Sequence, residues 1–275
     1  MSYTSRESSI AAGQPVRLYL FERGALRWGY CSADRDLTLQ AREYKATAIS
    51  DDGLRQTGET SADLLRITLP GTQEVPQLFR GAPPSAEVWL TIREWHWGEA
   101  DIAANVPVVW IGTVSAVNWP AADRAEISCE TLSASMDRVG LRLTYMRSCP
   151  HALYDRHCRV DRNRHKLAAT INAITGNTIG YSSPAMLPEG RAAGGYLEWA
   201  IGSGELERRS ILGHSGSTLT LLGGASGLSN GQGITIYPGC RQTVEDCQTT
   251  FSNLDNYGGF NAMPGVSPFD GNPAF

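Results

Sequence analysis

Residues 106–119 read Val106-Pro107-Val108-Val109-Trp110-Ile111-Gly112-Thr113-Val114-Ser115-Ala116-Val117-Asn118-Trp119, and residues 124–129 read Arg124-Ala125-Glu126-Ile127-Ser128-Cys129. Apolar residues in both stretches alternate with polar ones or form short runs of β-branched and aromatic side chains. This pattern is typical of strands, and the three-to-four-residue periodicity of a helix is weak. The two stretches therefore predict β-strands.

The same pattern extends over the rest of the first half of the chain. It predicts further strands at residues 16–22, 25–31, 63–69 and 86–94, separated by turn signals such as Asp51-Asp52-Gly53 and Gly81-Ala82-Pro83-Pro84. Many short strands at this spacing favour a β-sandwich or barrel. A short helix or turn is expected at residues 130–140, where Gly140 would end it. We therefore expect an N-terminal β domain over residues 1–140.

A second β domain is expected over residues 141–275. Strands are predicted at residues 166–179, 195–201, 205–214, 217–221 and 233–237, joined by Gly- and Ser-rich turns such as the hairpin turn predicted at residues 223–227. Residues 253–275 are rich in Gly, Pro, Asn and aromatic side chains, so we expect an irregular tail that packs over a surface or docks a partner.

Composition narrows the classes of function. Hydrophobic residues make up 41% of the 275 residues and charged residues 19%, which suits a folded chain with a sizeable core. The formal charge of −4 gives no overall electrostatic reason to bind nucleic acid or anionic lipid. The polar start MSYTSRESSI does not resemble a signal peptide, so we expect synthesis in the cytoplasm and no membrane span.

Six cysteines are present, and four of them form two pairs in the sequence. Cys149 and Cys158 have eight residues between them, Cys240 and Cys247 have six, and 81 residues separate the two pairs. Cys31 and Cys129 stand alone, and we expect them to fill the apolar core. A cytoplasmic chain keeps its thiols reduced, so metal chemistry is favoured over disulfides for the paired residues.

Four thiolates can hold either one zinc ion or an iron–sulfur cluster. Zinc pairs usually lie two to four residues apart on tight turns, and neither pair has that spacing. If residues 241–250 are helical, Cys240 and Cys247 lie about 10 Å apart, which suits a larger inorganic core. The spacing favours iron–sulfur and leaves zinc open. His151, His157 and His165 could substitute as ligands, although solvated histidines are the simpler interpretation.

Several motifs carry a resemblance to a known family. They are residues 147–160 around the first pair, Gly239-Cys240 through Cys247, Phe251-Ser252-Asn253, Asn256-Tyr257-Gly258-Gly259-Phe260 and Met263-Pro264-Gly265. Together they resemble the tail-tip hub proteins of long-tailed phages and gene transfer agents, and the shorter minor tail protein of lambdoid phages. The insertion between the pairs is longer than in the lambdoid form and is similar to the gene transfer agent type. Weaker similarity covers residues 110–114, 125–130 and 138–142.

The resemblance implies a cofactor and a place of action. Cys149, Cys158, Cys240 and Cys247 would hold a structural [4Fe–4S] cluster. The chain would be a non-enzymatic structural protein at the distal end of a phage tail, a homo-oligomer forming a trimeric ring around the channel for the tape-measure protein and DNA. Its neighbours would be the distal tail protein ring and the central receptor-binding hub, without sequence-specific binding of nucleic acid. Five tryptophans are candidate interface anchors, with core packing as the alternative: Trp89, Trp95, Trp97, Trp110 and Trp119.

Two other classes of function stay open. A tail-associated peptidoglycan hydrolase or a Cys/His peptidase would need an activated nucleophile or two carboxylates with different pKa values. His214-Ser215 and the pair Glu198 and Glu205 supply those residue types outside any recognisable motif. The third class is an interaction module that holds zinc in place of the cluster.

Overall fold

The computed structural model describes residues 3–11, 13–55, 57, 63–97, 106–137, 140 and 144–263. The chain divides into two compact units. The first contains residues 1–138 together with 201–207, and the second contains residues 139–200 and 208–275. Both units are built mainly from strands, which confirms the predicted fold class. The motif at residues 138–142 and the tail beyond residue 263 lie largely or wholly outside the described residues.

The first unit contains a nine-stranded sheet. Its strands are β1 (Pro15–Arg23), β2 (Leu26–Cys31), β3 (Leu37–Leu39), β4 (Arg42–Ala46), β5 (Ser50–Asp51), β6 (Leu65–Pro70), β7 (Trp89–His96), β8 (Val108–Ala121) and β9 (Arg124–Thr131). They lie in the order β3-β4-β2-β1-β7-β8-β9-β6-β5. Two short helices, α1 (Tyr3–Glu7) and α2 (Glu74–Leu78), and the 3-10 helix Leu132–Asp137 complete the unit.

Side chains on both faces of this sheet are buried. Along β1, Leu18 and Leu20 pack into one hydrophobic cluster, whereas Tyr19 and Phe21 pack into another. Since successive side chains of a strand point to opposite faces, each face of β1 contributes to a core. This explains the near-continuous apolar run at residues 18–21, where a strand with one solvated face would alternate.

The second unit contains a closed six-stranded barrel. Its strands are β10 (Leu167–Thr175), β11 (Thr178–Ser182), β12 (Tyr196–Gly202), β13 (Glu205–Ser215), β14 (Thr218–Leu221) and β15 (Gly233–Tyr237), in the order β10-β11-β14-β13-β12-β15. Two short helices, α3 (Arg162–His165) and α4 (Val244–Thr249), and the 3-10 helix Leu254–Asn256 flank it. The ends of β12 and β13, residues 201–207, are grouped with the first unit.

Two turn predictions need correction. The single strand expected at residues 166–179 is a hairpin, because Gly176 adopts a left-handed φ of +61° and reverses the chain between β10 and β11. Residues 223–227 form no hairpin turn. They lie in the connection between β14 and β15, two strands that do not pair with each other.

The tryptophans divide between core and surface. Trp95 and Trp110 are buried in the two clusters of the first unit, which fits the core alternative. Trp97 and Trp119 are partly buried against those clusters, whereas Trp89 is 38% exposed. Trp89 therefore remains a candidate interface anchor.

Candidate metal centre

The four paired cysteines all lie in the second unit. Cys149 and Cys158 lie in the loop before α3, Cys240 lies between β15 and α4, and Cys247 lies within α4. The helix begins only at Val244, with the Thr243 side chain accepting a hydrogen bond from the Asp246 N–H. Cys240 therefore precedes the helix, and the expected two-turn spacing of Cys240 and Cys247 along one helix is wrong. A loop, not a helical face, sets the position of Cys240.

Hydrogen bonds join the two cysteine-bearing segments. The Cys149 N–H donates to the Gln242 carbonyl at 3.0 Å. Asn253 links the other two cysteines, because its Nδ2 donates to the Cys158 carbonyl at 2.5 Å and its own carbonyl accepts from Cys247 Sγ at 3.2 Å. Parts of the chain that are remote in sequence thus meet at one place.

Electrostatics shows the same convergence. Burial, together with the nearby Cys240, Cys149 and Cys158 and the Asp246 carboxylate, raises the pKa of Cys247 to about 11. Cys158 and Cys247 are each 8% exposed, whereas Cys149 and Cys240 are half-buried. The structure therefore brings the four predicted residues together in one partly buried site.

Three of the four sulfur atoms accept hydrogen bonds. The Gly258 N–H donates to Cys149 Sγ at 3.4 Å, and the Gln242 N–H donates to Cys240 Sγ at 3.3 Å. Asn253 Nδ2 lies 3.8 Å from Cys158 Sγ. Donors of this kind stabilise thiolate charge and are typical of the surroundings of metal-bound sulfur.

The backbone around the cysteines is strained. Four residues other than glycine adopt left-handed φ values: Tyr154 at 71°, Arg159 at 60°, Gln242 at 58° and Ser252 at 48°. Such residues cost about 1–3 kcal/mol each and persist only where surrounding contacts hold them. Strain of this kind is concentrated at functional sites, so it marks these loops as more than connections.

Glycines allow the loops to approach each other closely. A side chain at Gly259 would lie 2.8 Å from the Ser148 carbonyl carbon, and one at Gly239 would lie 2.7 Å from the backbone of Gly194 and Gly195. These contacts place the segment after α4 against the first cysteine, and Cys240 against the loop before β12. They explain why the Gly-Gly sequence at residues 258–259 belongs to the motif.

A single zinc ion requires closely spaced sulfur atoms. A tetrahedral zinc ion with bonds of about 2.3 Å holds its sulfurs about 3.8 Å apart. Within the described ranges, the trio of potential ligands with donor atoms within 4.8 Å of one another is Glu7, Glu94 and His96, and no trio that includes the cysteines meets this limit. No three of the cysteine sulfurs thus lie as close together as a bound zinc ion would hold them.

The trio in the first unit is a hydrogen-bond network. His96 Nδ1 accepts from the Gln14 N–H at 3.2 Å, so the proton of the neutral ring lies on Nε2, which is 2.8 Å from Glu7 Oε2. Glu94 accepts from Arg17 and Tyr3, both at 3.1 Å. Both ring nitrogens of His96 are thus engaged in hydrogen bonds, so the ring has no free lone pair for a cation.

An ion pair behind Cys247 was not foreseen from the sequence. Arg191 donates to Asp246 Oδ1 at 2.6 Å and to the Gly239 carbonyl at 3.0 Å. Burial alone would raise the pKa of Asp246, but the hydrogen bonds from Arg191 and the Arg241 N–H outweigh it, and the pKa is lowered. Asp246 thus fixes α4 relative to the Cys240 loop. A lone Asp-Cys dipeptide carries no signal that would have indicated this role.

The neighbouring histidines have other contacts. The rings of His151 and His157 stack at 5.3 Å and 20° between planes, and His165 packs edge-on against Phe251 at 4.9 Å. Burial and the nearby Arg191 lower the pKa of His165. None of the three joins a cysteine in a close trio among the described residues.

The residues considered for hydrolysis are engaged elsewhere. His214 Nδ1 accepts from the Ala192 N–H at 3.4 Å, and its Nε2 lies 2.9 Å from the Gly216 carbonyl, so no ring nitrogen is left to act as a base for Ser215. Glu198 is buried and accepts from Arg208 at 2.7 Å and from the Tyr237 hydroxyl at 3.1 Å. His214 and Glu198 are thus hydrogen-bonded to partners within the second unit.

Comparison with known families decides the relationship. Residues 18–161 match the family described as baseplate hub protein, N-terminal attachment domain, which is more than half of the chain. The chain belongs to this family. Residues 190–266 match the family described as phage conserved hypothetical protein BR0599, which includes Cys240 and Cys247. The resemblance to phage tail-tip hub proteins is confirmed, and so is the expected location in the tail of a virion.

Two individual proteins illustrate the relationship. An uncharacterized protein of Xylella fastidiosa (strain 9a5c) is 24% identical over 185 residues, which are 62% of this chain and 38% of that protein. The chain thus matches about 38% of the length of that relative. A chain in the structure of the virion of native gene transfer agent (GTA) particle has a TM-score of 0.76 at 17% identity, covering 96% of this chain and 93% of that one. This likeness confirms the fold.

The helices of the described part of the chain are short. None of them has the length and apolar character needed to cross a bilayer.

Proposed function

We propose that this baseplate hub protein is a non-enzymatic structural part of the tail tip in which Cys149, Cys158, Cys240 and Cys247 hold a [4Fe–4S] cluster. The observation that carries the proposal is the meeting of these four residues, from two segments 81 residues apart, in one site with strained loops. Membership of the hub family supports the structural role. The eight and six residues between the paired cysteines, more than the two to four usual for zinc, favour a cluster over a single zinc ion.

The cluster would act as a covalent tie between loops. When bound, it supplies metal–thiolate bonds whose free energy becomes folding free energy. The protein's own residues prepare the site: Asn253 joins Cys158 to the end of α4, and the backbone N–H groups of Gln242 and Gly258 face the sulfurs of Cys240 and Cys149. The left-handed residues nearby are held most securely when both segments are anchored.

The oligomer is the second part of the proposal. We place the chain in a homo-trimeric ring beside the distal tail protein ring and the central receptor-binding hub, around the path of the tape-measure protein. Trp89 and Ile111 support an interface in the first unit. They are 38% and 45% exposed, and they lie on the same face of the paired strands β7 and β8. Exposed apolar pairs of this kind are typical of contact surfaces.

Metal analysis after anaerobic purification tests the cluster. Iron, acid-labile sulfide and zinc are measured per chain in wild type, in Cys240→Ser and in the matched control Cys31→Ala, which keeps all four candidate ligands. We expect four irons and four sulfides per chain in wild type and in the control, and loss of both in Cys240→Ser. One zinc without sulfide would establish the zinc module instead, and a wild-type chain without bound metal would refute the proposal.

Two further measurements test the structural role. Light scattering of the purified chain should give the mass of three copies, and Trp89→Lys should shift it toward one copy, because a buried lysine opposes association. A zymogram on peptidoglycan should show no clearing. A clearing band that survives in Cys240→Ser would instead establish a hydrolase.

A further inference from the structure

Residues 147–166 form a strongly basic segment in an acidic chain. The segment contains five arginines and one lysine against two aspartates, a formal charge of +4. Because the whole chain carries −4, the other 255 residues together carry −8. The overall charge therefore conceals a local excess of the opposite sign.

Most of these cations face solvent. Five are exposed, and they are Arg147, Arg156, Arg159, Arg164 and Lys166. The sixth, Arg162, is half-buried and pairs with Glu198 at 3.4 Å. Over the part of the chain that the structure describes, this is the ion pair made by the segment. The exposed charges are therefore not neutralised by carboxylates packed against them.

The exposed cations are not paired with the cysteine sulfurs either. Hydrogen bonds to the cysteine sulfurs come from the backbone of Gln242 and Gly258 and from the Asn253 amide. The exposed arginines donate to none of these sulfurs among the described contacts. Their charge is available to a ligand, whichever metal the cysteines hold.

We propose that this basic segment binds the phosphate backbone of a nucleic acid strand without sequence preference. Arginine is suited to phosphate because its planar group donates in pairs, and five of the six cations are arginine. At physiological salt the screening length is about 8 Å, so the local charge governs binding and the overall charge of the chain matters less.

Aromatic rings within and beside the segment favour a nucleic acid over other polyanions. The imidazoles of His151 and His157 stack within it, and Tyr145 and Phe260 pair at 4.9 Å beside Arg147, with exposures of 77% and 49%. Phe260 is held there by its N–H, which donates to the Met146 carbonyl at 2.8 Å. Positive charge combined with aromatic faces is the combination that single-stranded nucleic acid uses for backbone contact and base stacking.

The strength of the effect follows from the number of charges. Each phosphate contact on a single strand contributes about 0.7 to the slope of log affinity against log salt. Five contacts would give a slope of about −3.5, so raising salt from 50 to 200 mM should weaken binding about 100-fold. Phosphate contacts carry no base information, so this binding agrees with the expectation that the chain has no sequence-specific contact with nucleic acid.

Fluorescence anisotropy with a labelled single-stranded oligonucleotide and the full chain tests the proposal. The variant Arg156→Gln/Arg159→Gln/Arg164→Gln removes three of the exposed charges. The control Arg55→Gln/Arg66→Gln/Arg124→Gln removes three exposed arginines of the first unit, so the overall charge changes equally. We expect the first variant to reduce the salt slope to about −1.4 and the control to leave it unchanged. Thermal unfolding and metal content of both variants establish that they are folded.

Three outcomes would overturn the proposal. They are no binding by wild type at 50 mM salt, equal loss in both folded variants, or tighter binding to anionic phosphatidylserine vesicles than to the oligonucleotide at the same salt. Because the variants keep all four cysteines, failure here leaves the proposed metal site untouched. Conversely, a chain that holds zinc should still bind the strand.

Discussion

Replacing Gly239 with alanine should disrupt the loop that carries Cys240. Gly239 lies where this loop crosses the backbone before β12. The new Cβ would lie 2.7 Å from the Gly194 carbonyl carbon and from the Gly195 nitrogen, and closer still to the Ala193 carbonyl oxygen. All of these are backbone atoms, so no flexible side chain can move aside. The loop itself must shift.

The cost has two parts. Overpacking of a close contact costs about 1–3 kcal/mol. A shift of the loop also breaks the hydrogen bond from the Gly239 N–H to the Arg191 carbonyl at 3.2 Å and the return bond from the Arg191 guanidinium at 3.0 Å. At about 1 kcal/mol for each bond, the total loss is about 3–5 kcal/mol. That is a large fraction of the stability of a domain of this size.

Urea denaturation monitored by circular dichroism measures the loss, with iron and sulfide analysis in parallel. Gly233→Ala is the matched control, because a Cβ at Gly233 meets nothing within 4 Å. We expect Gly239→Ala to unfold at lower urea and to hold less metal than wild type, and Gly233→Ala to resemble wild type. The same midpoint for Gly239→Ala and wild type would show that the close crossing does not position Cys240.

Three further predictions concern the first unit. Burial raises the pKa of Asp51, but hydrogen bonds from Arg17 and Tyr19 outweigh burial and lower this pKa below 3.8. These contacts of the Asp51 carboxylate therefore stabilise the fold above pH 3.8. Their stabilisation is lost as the pH falls through the pKa that Asp51 has in the folded state. Asp51→Asn should therefore cost about 2 kcal/mol at pH 7 in urea denaturation and progressively less below pH 3.8, and a constant difference would contradict this reasoning. Ile127→Ala removes a fully buried side chain from the hydrophobic cluster that contains Tyr19 and Phe21, and it should cost about 2–5 kcal/mol. A loss below about 1 kcal/mol would mean that this cluster is loosely packed. Iodoacetamide should leave the fully buried Cys31 and Cys129 unmodified until urea unfolds the chain, as mass spectrometry of native and denatured samples can check.

The long strands could be predicted from the sequence because their buried faces appear as alternating or continuous apolar residues. All six strands expected in the first half exist within a few residues, including β8 and β9. The alternation pattern did not predict β3, β4 and β5, which have two to five residues each. Segments this short give too few alternations to be distinguished from turns, and their pairing depends on neighbours remote in sequence.

The site was predictable in its residue types and less so in its geometry. The four cysteines could be grouped by their spacing, yet Cys240 lies outside the helix that the spacing argument assumed. The contacts that organise the loops involve Asp246 and Asn253. Their roles depend on backbone carbonyls that the fold brings near, and a carbonyl leaves no trace in the sequence. The closure of the barrel was likewise invisible, because alternation does not specify which strands meet.

The four left-handed residues around the cysteines have a consequence for how the protein matures. Their combined cost of about 4–12 kcal/mol is comparable with the whole stability of a typical domain. The barrel strands contain no left-handed residue other than glycine. A newly made chain can therefore fold these strands before the cysteine-bearing loops become ordered. A cell with too little of the group that anchors the thiols should accumulate chains with a folded barrel and unfolded cysteine-bearing loops. Proteases would cleave these loops before the chains enter a particle.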